Sequence, residues 1–563
     1  MQVIYAFYLN TVYLTNIKNT INIMRILSFY VLSLLTNLSM VWAQYTVENV
    51  SGVITTNTTR TNNKQYLLNG YVYVKNDATL TIEAGTIIKG DKASKGSLII
   101  TRGAKIMADG TPDLPIVFTS NQAVGSRNYG DWGGLIICGK ARTNKAGGQG
   151  EVEGGVNNAN GDALYGGTDD NDNSGILRYV RIEFPGIAFS DNNEINGLTL
   201  AGVGSQTVVD HVQVSYSGDD AFEFFGGTVN AKHLVALASW DDDFDTDFGY
   251  RGNIQFAVAL RHPAIADQSG SNGFESDNDG SGTNNTPRTR PIFSNVTIAG
   301  PALDNGQATL NTNYKRAAHI RRASQCSIYN AIFFGFPTAL LLDGTACENA
   351  AQNDSLQIKN STFIATDPTK ILTTVSGSSF NISNWYNAAN NNNVTNTSVA
   401  SQLLVDPQNL DAPNALPQTT SPVWGTANFV HSDLNNGFFE AVNYRGAFGT
   451  TDWTNTWASY HPQQEAYQTN TAVPNLLTTQ QIQLYPNPAT TQTQLILDIP
   501  QTMTLEIKLC SIDGRVLQNV VESQTISQGK QQFAIPTADL PNGFYIVQIL
   551  ANQQIQHSPL LIK

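Results

Sequence analysis

Charge is scarce in this sequence, and positive charge scarcest. Lys, Arg, Asp and Glu make up 14% of the 563 residues, with 32 basic against 45 acidic groups and a formal net charge of −13. That balance argues against a basic face for nucleic acid or anionic lipid. Cysteine is limited to Cys138, Cys326, Cys347 and Cys510, at spacings that match no zinc motif. Cys138 in LIICG and Cys510 in LEIKLCS lie in apolar runs and read as small buried hydrophobes. Amphipathic helical periodicity is nearly missing. So are a Gly-x-Ser-x-Gly elbow, a P-loop and a His-Glu-x-x-His pair. After residue 43 no segment approaches the roughly 20 apolar residues that a membrane span needs, so the mature form is expected to have none.

The start does carry an apolar stretch. Met24-Arg25 is followed by Ile26 to Trp42, and Val41-Trp42-Ala43 precedes Gln44. A basic start, an apolar core and a small residue before the cut describe a secretory signal peptide over 1–43, with 1–23 an extension ahead of the true start at Met24. Asn37 and several serines interrupt the run, which disfavours a membrane anchor.

What is abundant is turn and strand chemistry. Gly (46 residues), Asn, Thr and Ser are frequent, and from 44 to 461 short β-type runs alternate with Gly, Asn and Asp. A repeat stands out at 211–249. His211 matches His233, Asp219 matches Asp241, Asp220 matches Asp242, Phe222 matches Phe244, Glu223 matches Asp245 and Gly227 matches Gly249, each 22 residues on. A looser third copy, Gly273-Phe274-Glu275-Ser276-Asp277, follows an insertion near 263–271. A period in the low twenties fits one coil of a parallel β-helix, whose coils stack about 4.8 Å apart. Neither the leucine-rich consensus nor the ~40-residue propeller repeat is present. The expected fold is all-β: a right-handed parallel β-helix over 44–461, a polar linker over 462–480, and a small β-sandwich over 481–563. Asp513-Gly514 and Asn542-Gly543 mark hairpin turns of the sandwich. Trp453 and Trp457 are expected to close the last coil.

Two resemblances follow from these motifs. GTPDLPIVFTS (110–120), GDWGG (130–134), EFFGGTV (223–229) and YRGAFGTTDWTNTWASYHP (444–462) resemble pectate-lyase-like β-helix surface proteins of unassigned activity. LYPNPA (484–489), IDGRVL (512–517) and LPNGFYIVQI (540–549) resemble the type A sorting domain of the type IX secretion system, with His557 a departure near the end. The second resemblance implies the type IX machinery as a partner. It also implies export to the medium or outer surface of a Gram-negative bacterium, and removal of this domain.

Stacking also predicts where chemistry sits. With Phe222, Phe244 and Phe274 inward, alternation sends Glu223, Asp241, Asp243, Asp245 and Asp247 outward. Glu223 then lies over Asp245 and Glu275, Asp219 over Asp241, and Asp247 over Asp277. Like carboxylates at that spacing repel and want a cation, a proton or a base. Ca²⁺ on Glu223, Asp245, Asp247, Glu275 and Asp277 is one reading; solvated turn residues are the other. The runs from Asp170 and Asp277 (D-x-D-x-S-G) open like calcium loops, but position twelve falls on Arg181 and Arg288. Ser217-Gly218-Asp219-Asp220 is similar to the paired-Asp motif of polygalacturonase-type hydrolases, which makes Asp219, Asp220 and the repeated Asp242 weak catalytic candidates; the partner Gly-His-Gly and Arg-Ile-Lys motifs are missing. A lyase would need a base, and Arg251, Arg288 and Arg290 are available. His211 and His233 form either a transition-metal pair or an ordinary ladder. Cys326 and Cys347 flank one coil and are expected to pair in an oxidising compartment. Two functions remain open: a surface protein that binds an extracellular polysaccharide or adheres, or a polysaccharide lyase or hydrolase. A groove lined by acids, aromatics and a base would favour the enzyme, and an exposed acidic ridge would favour binding.

Overall fold

The computed structural model describes residues 47–467 and 482–563, apart from 191–192, 305, 307–309, 500–502, 512–514 and 552–553. The expected signal peptide and the Asp513-Gly514 turn lie outside the described residues. No helix among the described residues is long and apolar enough to cross a membrane.

Among the described residues, twenty-six strands form one parallel sheet that winds as a right-handed β-helix. One face stacks Leu135–Cys138, Leu198–Ala201, Phe222–Phe225, Phe244–Asp247, Phe274–Ser276 and Arg316–Ile320 in register. The other two faces are made largely by single long strands that bend midway, such as Val208–Ser215, Asn230–Leu237, Asn253–Leu260 and Ile292–Ala299. Each bends at a residue in the left-handed region, and these residues stack: Tyr179, His211, His233, Phe256, Asn295, then Asn330 and Asn360. The column changes from aromatic to Asn, the non-glycine residue that best tolerates this conformation. The coil interior is a continuous apolar core of Leu, Ile, Val and Phe.

The coils end near Asn396, earlier than the expected 461, and the chain then returns along the bent corner as a strap. Corner and strand amides donate to strap carbonyls: Asn330 to Asn428 (3.2 Å), Asn295 to Tyr444 (2.8 Å), Gln213 to Ser459 (2.7 Å) and Gln65 to Tyr467 (2.6 Å). Residues 462–467 belong to this strap. Arg127 donates to the carbonyls of Pro462 and Glu465 at 2.8 Å, and the Tyr467 hydroxyl donates to the buried Glu183 carboxylate. Trp453 and Trp457 therefore do not close the last coil; they stand edge-on to His211 at 6.2 and 5.6 Å.

Residues 482–563 form antiparallel sheets of three and four strands around Leu495, Leu497, Leu505, Ile507, Val547 and Leu560. Alternation along Met503–Ser511 and Gln492–Ile499 supplies that core.

Candidate functional site: an acidic cleft

The first face carries the repeat. Phe222 and Phe244 stack inside with centroids 5.3 Å apart and planes 9° off parallel. Phe274 meets Phe244 edge-on at 76°, because Phe293 and Phe333 share its space. Outward, the same strands align Thr199, Glu223, Asp245, Glu275 and His319 in one column. A second column lies in the turn before each strand. Asn196 Oδ1 accepts the Asp220 N–H (3.3 Å), Asp220 Oδ1 accepts the Asp242 N–H (2.7 Å), and Asp242 Oδ1 accepts the Asn272 N–H. The repeated Asp thus satisfies the backbone of the coil that follows. Asp241 and Asp243 precede the strand Phe244–Asp247, so alternation does not govern them. Asp243 is not outward: it is fully buried against Arg261 at 2.9 Å.

Excursions between coils build walls around the column, enclosing a cleft of about 690 Å³. The excursion between Cys138 and Gly175 brings Glu153, the hairpin Ala188–Ser190 with Asn193–Glu194 brings Glu194, and the 263–271 insertion brings Asp267. Tyr129 and Trp240 contribute an aromatic pair with centroids 4.2 Å apart, and Trp240 Nε1 donates to Asp267 at 2.7 Å. Among the described residues, eleven carboxylates and two guanidinium groups line this space.

Those two bases divide the expected cation ligands. Arg321 bridges Glu275 and Asp277, Arg322 binds Asp277 at 2.7 Å, and His319 Nδ1 stands 3.4 Å from Glu275. The acids at this end are therefore offset by bases. The other end is different. Glu223 Oε1, Asp241 Oδ1 and Asp245 Oδ1 are buried with no hydrogen-bond partner, and Glu223 is only 3% exposed. One carboxylate oxygen from each of Asp219, Asp220 and Asp241 lies within 4.8 Å of the other two, and the same holds for Asp220, Glu223 and Asp245. Burial, reinforced by neighbouring carboxylates, pushes Asp219, Asp220, Glu223, Asp241, Asp245 and Asp247 well above the usual carboxylate range. Such oxygens suit a hard cation.

Of the catalytic candidates, Asp219 and Asp220 line the cleft; Asp242 does not, and Asn272 occupies its carboxylate. The candidate bases lie elsewhere: Arg251 pairs with Asp170, Arg290 with Asp433, and Arg288 binds the Thr283 carbonyl. Neither calcium-like loop gathers ligands. Asp170 is held by Arg142 and Arg251, and Asp279 accepts from Ser281 and Thr283. His211 and His233 stack at 4.1 Å in the corner column, both with Nδ1 within 2.9 Å of Asp210 Oδ1, and the three offer donor atoms within 4.8 Å of one another. Cys326 and Cys347 are free, so the expected disulfide is not formed. Both thiols are packed in the apolar core, and burial pushes Cys347 up to about 12. Glu153, Glu194, Asp267, Tyr129, Arg321 and Arg322 were not foreseen. They reach the cleft from separate loops and coils, and only the insertion at 263–271 gave a signal.

A family model described as a pectate-lyase-like beta helix domain matches residues 52–406. The chain belongs to this family. A second model, the secretion system C-terminal sorting domain, matches 483–563. The β-helix is therefore cargo of the type IX machinery, a secreted or cell-surface protein. No curated protein matches the chain.

Proposed function

We propose that this β-helix binds a glycan on the outer surface of a Gram-negative bacterium, and that its cleft holds Ca²⁺ as part of the binding site. The observation that carries the reading is the Glu223 carboxylate. It is buried, has an oxygen without a partner, and faces a cleft shared with Asp220 and Asp245. Ca²⁺ takes six to eight oxygens, and three carboxylates leave positions for water or sugar hydroxyls. Relative to the expectation from sequence, the ion moves away from Glu275 and Asp277, which Arg321 and Arg322 neutralise. Tyr129 and Trp240 give aromatic faces for a sugar ring. Export begins with the signal peptide, so the mature chain starts at Gln44. The test is a glycan panel probed with and without chelator: binding that is lost in chelator and in Trp240→Ala is expected, and equal binding in all three samples would overturn the reading.

The enzymatic alternative, a polysaccharide lyase or hydrolase, draws on Asp219 and Asp220, whose carboxyls are held toward the protonated form in a cleft that also has aromatic and basic walls. Two features weigh against it. Carboxylate oxygens within 4.8 Å are closer than the ~6.5–9.5 Å of an inverting pair, which is the geometry that the paired-Asp resemblance implies. The lyase base would have to be Arg321 or Arg322, and both already pair with Asp277. A reducing-end and unsaturated-product assay decides between them.

A further inference from the structure

We infer that the cleft is built for two Ca²⁺ ions bridged by Asp220, rather than for one; this rests on the cation reading above. Among the described residues, three carboxylate triads lie along the cleft. Asp219, Asp220 and Asp241 form the first, Asp220, Glu223 and Asp245 the second, and Asp242, Asp245 and Glu275 the third. In the third, two of the three members, Asp242 and Glu275, are already satisfied by the protein, and only Asp245, shared with the second, has an oxygen without a partner. Asp242 accepts from the Asn272 backbone and side chain, and Glu275 receives Arg321, the Asn272 amide at 3.2 Å and the nearby His319.

The first two triads have no such cations. Each contains a buried oxygen without a partner: Asp241 Oδ1 in the first, Glu223 Oε1 and Asp245 Oδ1 in the second. They share one residue, Asp220, and together hold five carboxylates. Once cations displace the protons from these five, one divalent ion leaves most of the charge unbalanced in a buried site, whereas two neutralise all but one carboxylate. Asp220 suits the bridge because the turn fixes it. Its Oδ1 is anchored by the Asp242 N–H at 2.7 Å, which aims the carboxylate between the two triads. Ca²⁺ is favoured over Mg²⁺ because a rigid carboxylate cluster does not offer the near-ideal octahedron with retained waters that Mg²⁺ demands.

The experiment is Ca²⁺ binding to the full chain by calorimetry and equilibrium dialysis, with Tb³⁺ luminescence as a second probe. Variants are Asp220→Asn, Glu223→Gln, Asp241→Asn and Glu275→Gln. Asp220→Asn keeps an oxygen for the Asp242 N–H, so the turn is retained. Relative to the native chain, Asp220→Asn is expected to lose two ions, Glu223→Gln and Asp241→Asn one each, and Glu275→Gln none. A native chain that binds no Ca²⁺ overturns this inference together with the cation reading. One ion, lost in both Glu223→Gln and Asp241→Asn, overturns the pair and leaves the reading standing. Two ions of which Asp220→Asn removes only one overturns the bridge. The native count decides between one and two even if a variant misfolds.

Discussion

The corner column Tyr179, His211, His233 and Phe256 and the outer column Glu223, Asp245 and Glu275 arise from the same cause, the stacking of equivalent positions in successive coils. In the corner, rings attract rings: His211 stacks on His233 at 4.1 Å and His233 on Phe256 at 5.1 Å, and Asp210 supplies one acceptor near both imidazoles. Against its burial, those imidazoles hold the Asp210 carboxyl well below the usual range. On the outer face, acids are stacked on acids, and only the Glu275 end meets bases. A β-helix imposes register without regard to sign. The corner column is held by its own ring contacts and by Asp210, although His211 Nδ1 is buried without a hydrogen bond, whereas the outer column has no attraction between its members and points to something outside the chain.

The sharpest contrast within the acidic run is Asp243, which has its own base. Arg261 and Asp243 are both fully buried, and Arg261 also donates to the Asp241 carbonyl at 2.6 Å. Burial pushes the Asp243 carboxyl up to about 6 even though Arg261 pulls it back. Arg261→Met leaves this carboxylate without a partner and is expected to lower stability by about 3–5 kcal/mol, read by chemical denaturation. The double change with Asp243→Leu should recover most of that loss. A small effect of the single change would mean the acidic turn tolerates unpaired charge, and the comparison of the two columns would weaken.

The next largest effect should come from the cation. Ca²⁺ at a hundredfold excess over its Kd stabilises the native state by about 2.7 kcal/mol. Melting in millimolar Ca²⁺ against chelator should show this, and Asp245→Asn should shrink the difference. His211→Asn, in the other column, should leave it unchanged. If Asp245→Asn is more stable than the native chain in both media, the outer column is merely a set of repelling acids.

The columns themselves were legible in the sequence because a 22-residue identity fixes register, and register fixes which side chains align; Glu223 over Asp245 is a direct consequence. What covers them was not. Arg321 and Arg322 lie coils away from the repeat, and Glu153 and Glu194 come from excursions whose path no periodicity encodes. The strap escaped for a similar reason. Its bonds to the coils, such as Gln65 to the Tyr467 carbonyl, join residues about 400 apart and use backbone oxygens that any sequence offers. Asp220 and Asp242 were read as turn residues or catalysts, and the structure gives them the acceptor role in the turn.

Protonation offers a further way to separate the columns. A carboxyl whose folded pKa is raised binds more protons folded than unfolded, so its contribution to stability falls as pH rises. The fall starts near the unfolded value, about 4, and ends once pH passes the folded value, about 6 for Asp243 and about 8 for Asp242. In chelator the protein should therefore be more stable at pH 5 than at pH 8, by roughly 1.4 kcal/mol for each unit of raised pKa titrated between them. Ca²⁺ should flatten the profile by taking the place of protons. Asp210 runs the other way. Its depressed pKa contributes stability above about 4 that is lost only as pH falls through its low folded value. Denaturation at pH 5 and 8, with and without chelator, measures the first sign, and extending the series below pH 4 measures the second.

The smallest expected effect tests the corner. His233 holds φ at 53° in the same structural position that Asn295, Asn330 and Asn360 occupy in later coils, at φ of 54°, 54° and 52°. Asn is the side chain that adopts this conformation with least strain, so His233→Asn should keep the bend. It loses ring contacts with His211 and Phe256 and the 2.8 Å bond to Asp210, and gains an amide able to donate to the strap as Asn295 does to Tyr444. These changes oppose each other, and stability should move by no more than about 1 kcal/mol. His233→Val is the control. A β-branched residue is strained at positive φ and can form neither bond, so it should cost about 1–3 kcal/mol more than Asn. Equal melting of the two variants would mean that the left-handed bend, rather than being fixed by its residue, is imposed by the coils on either side.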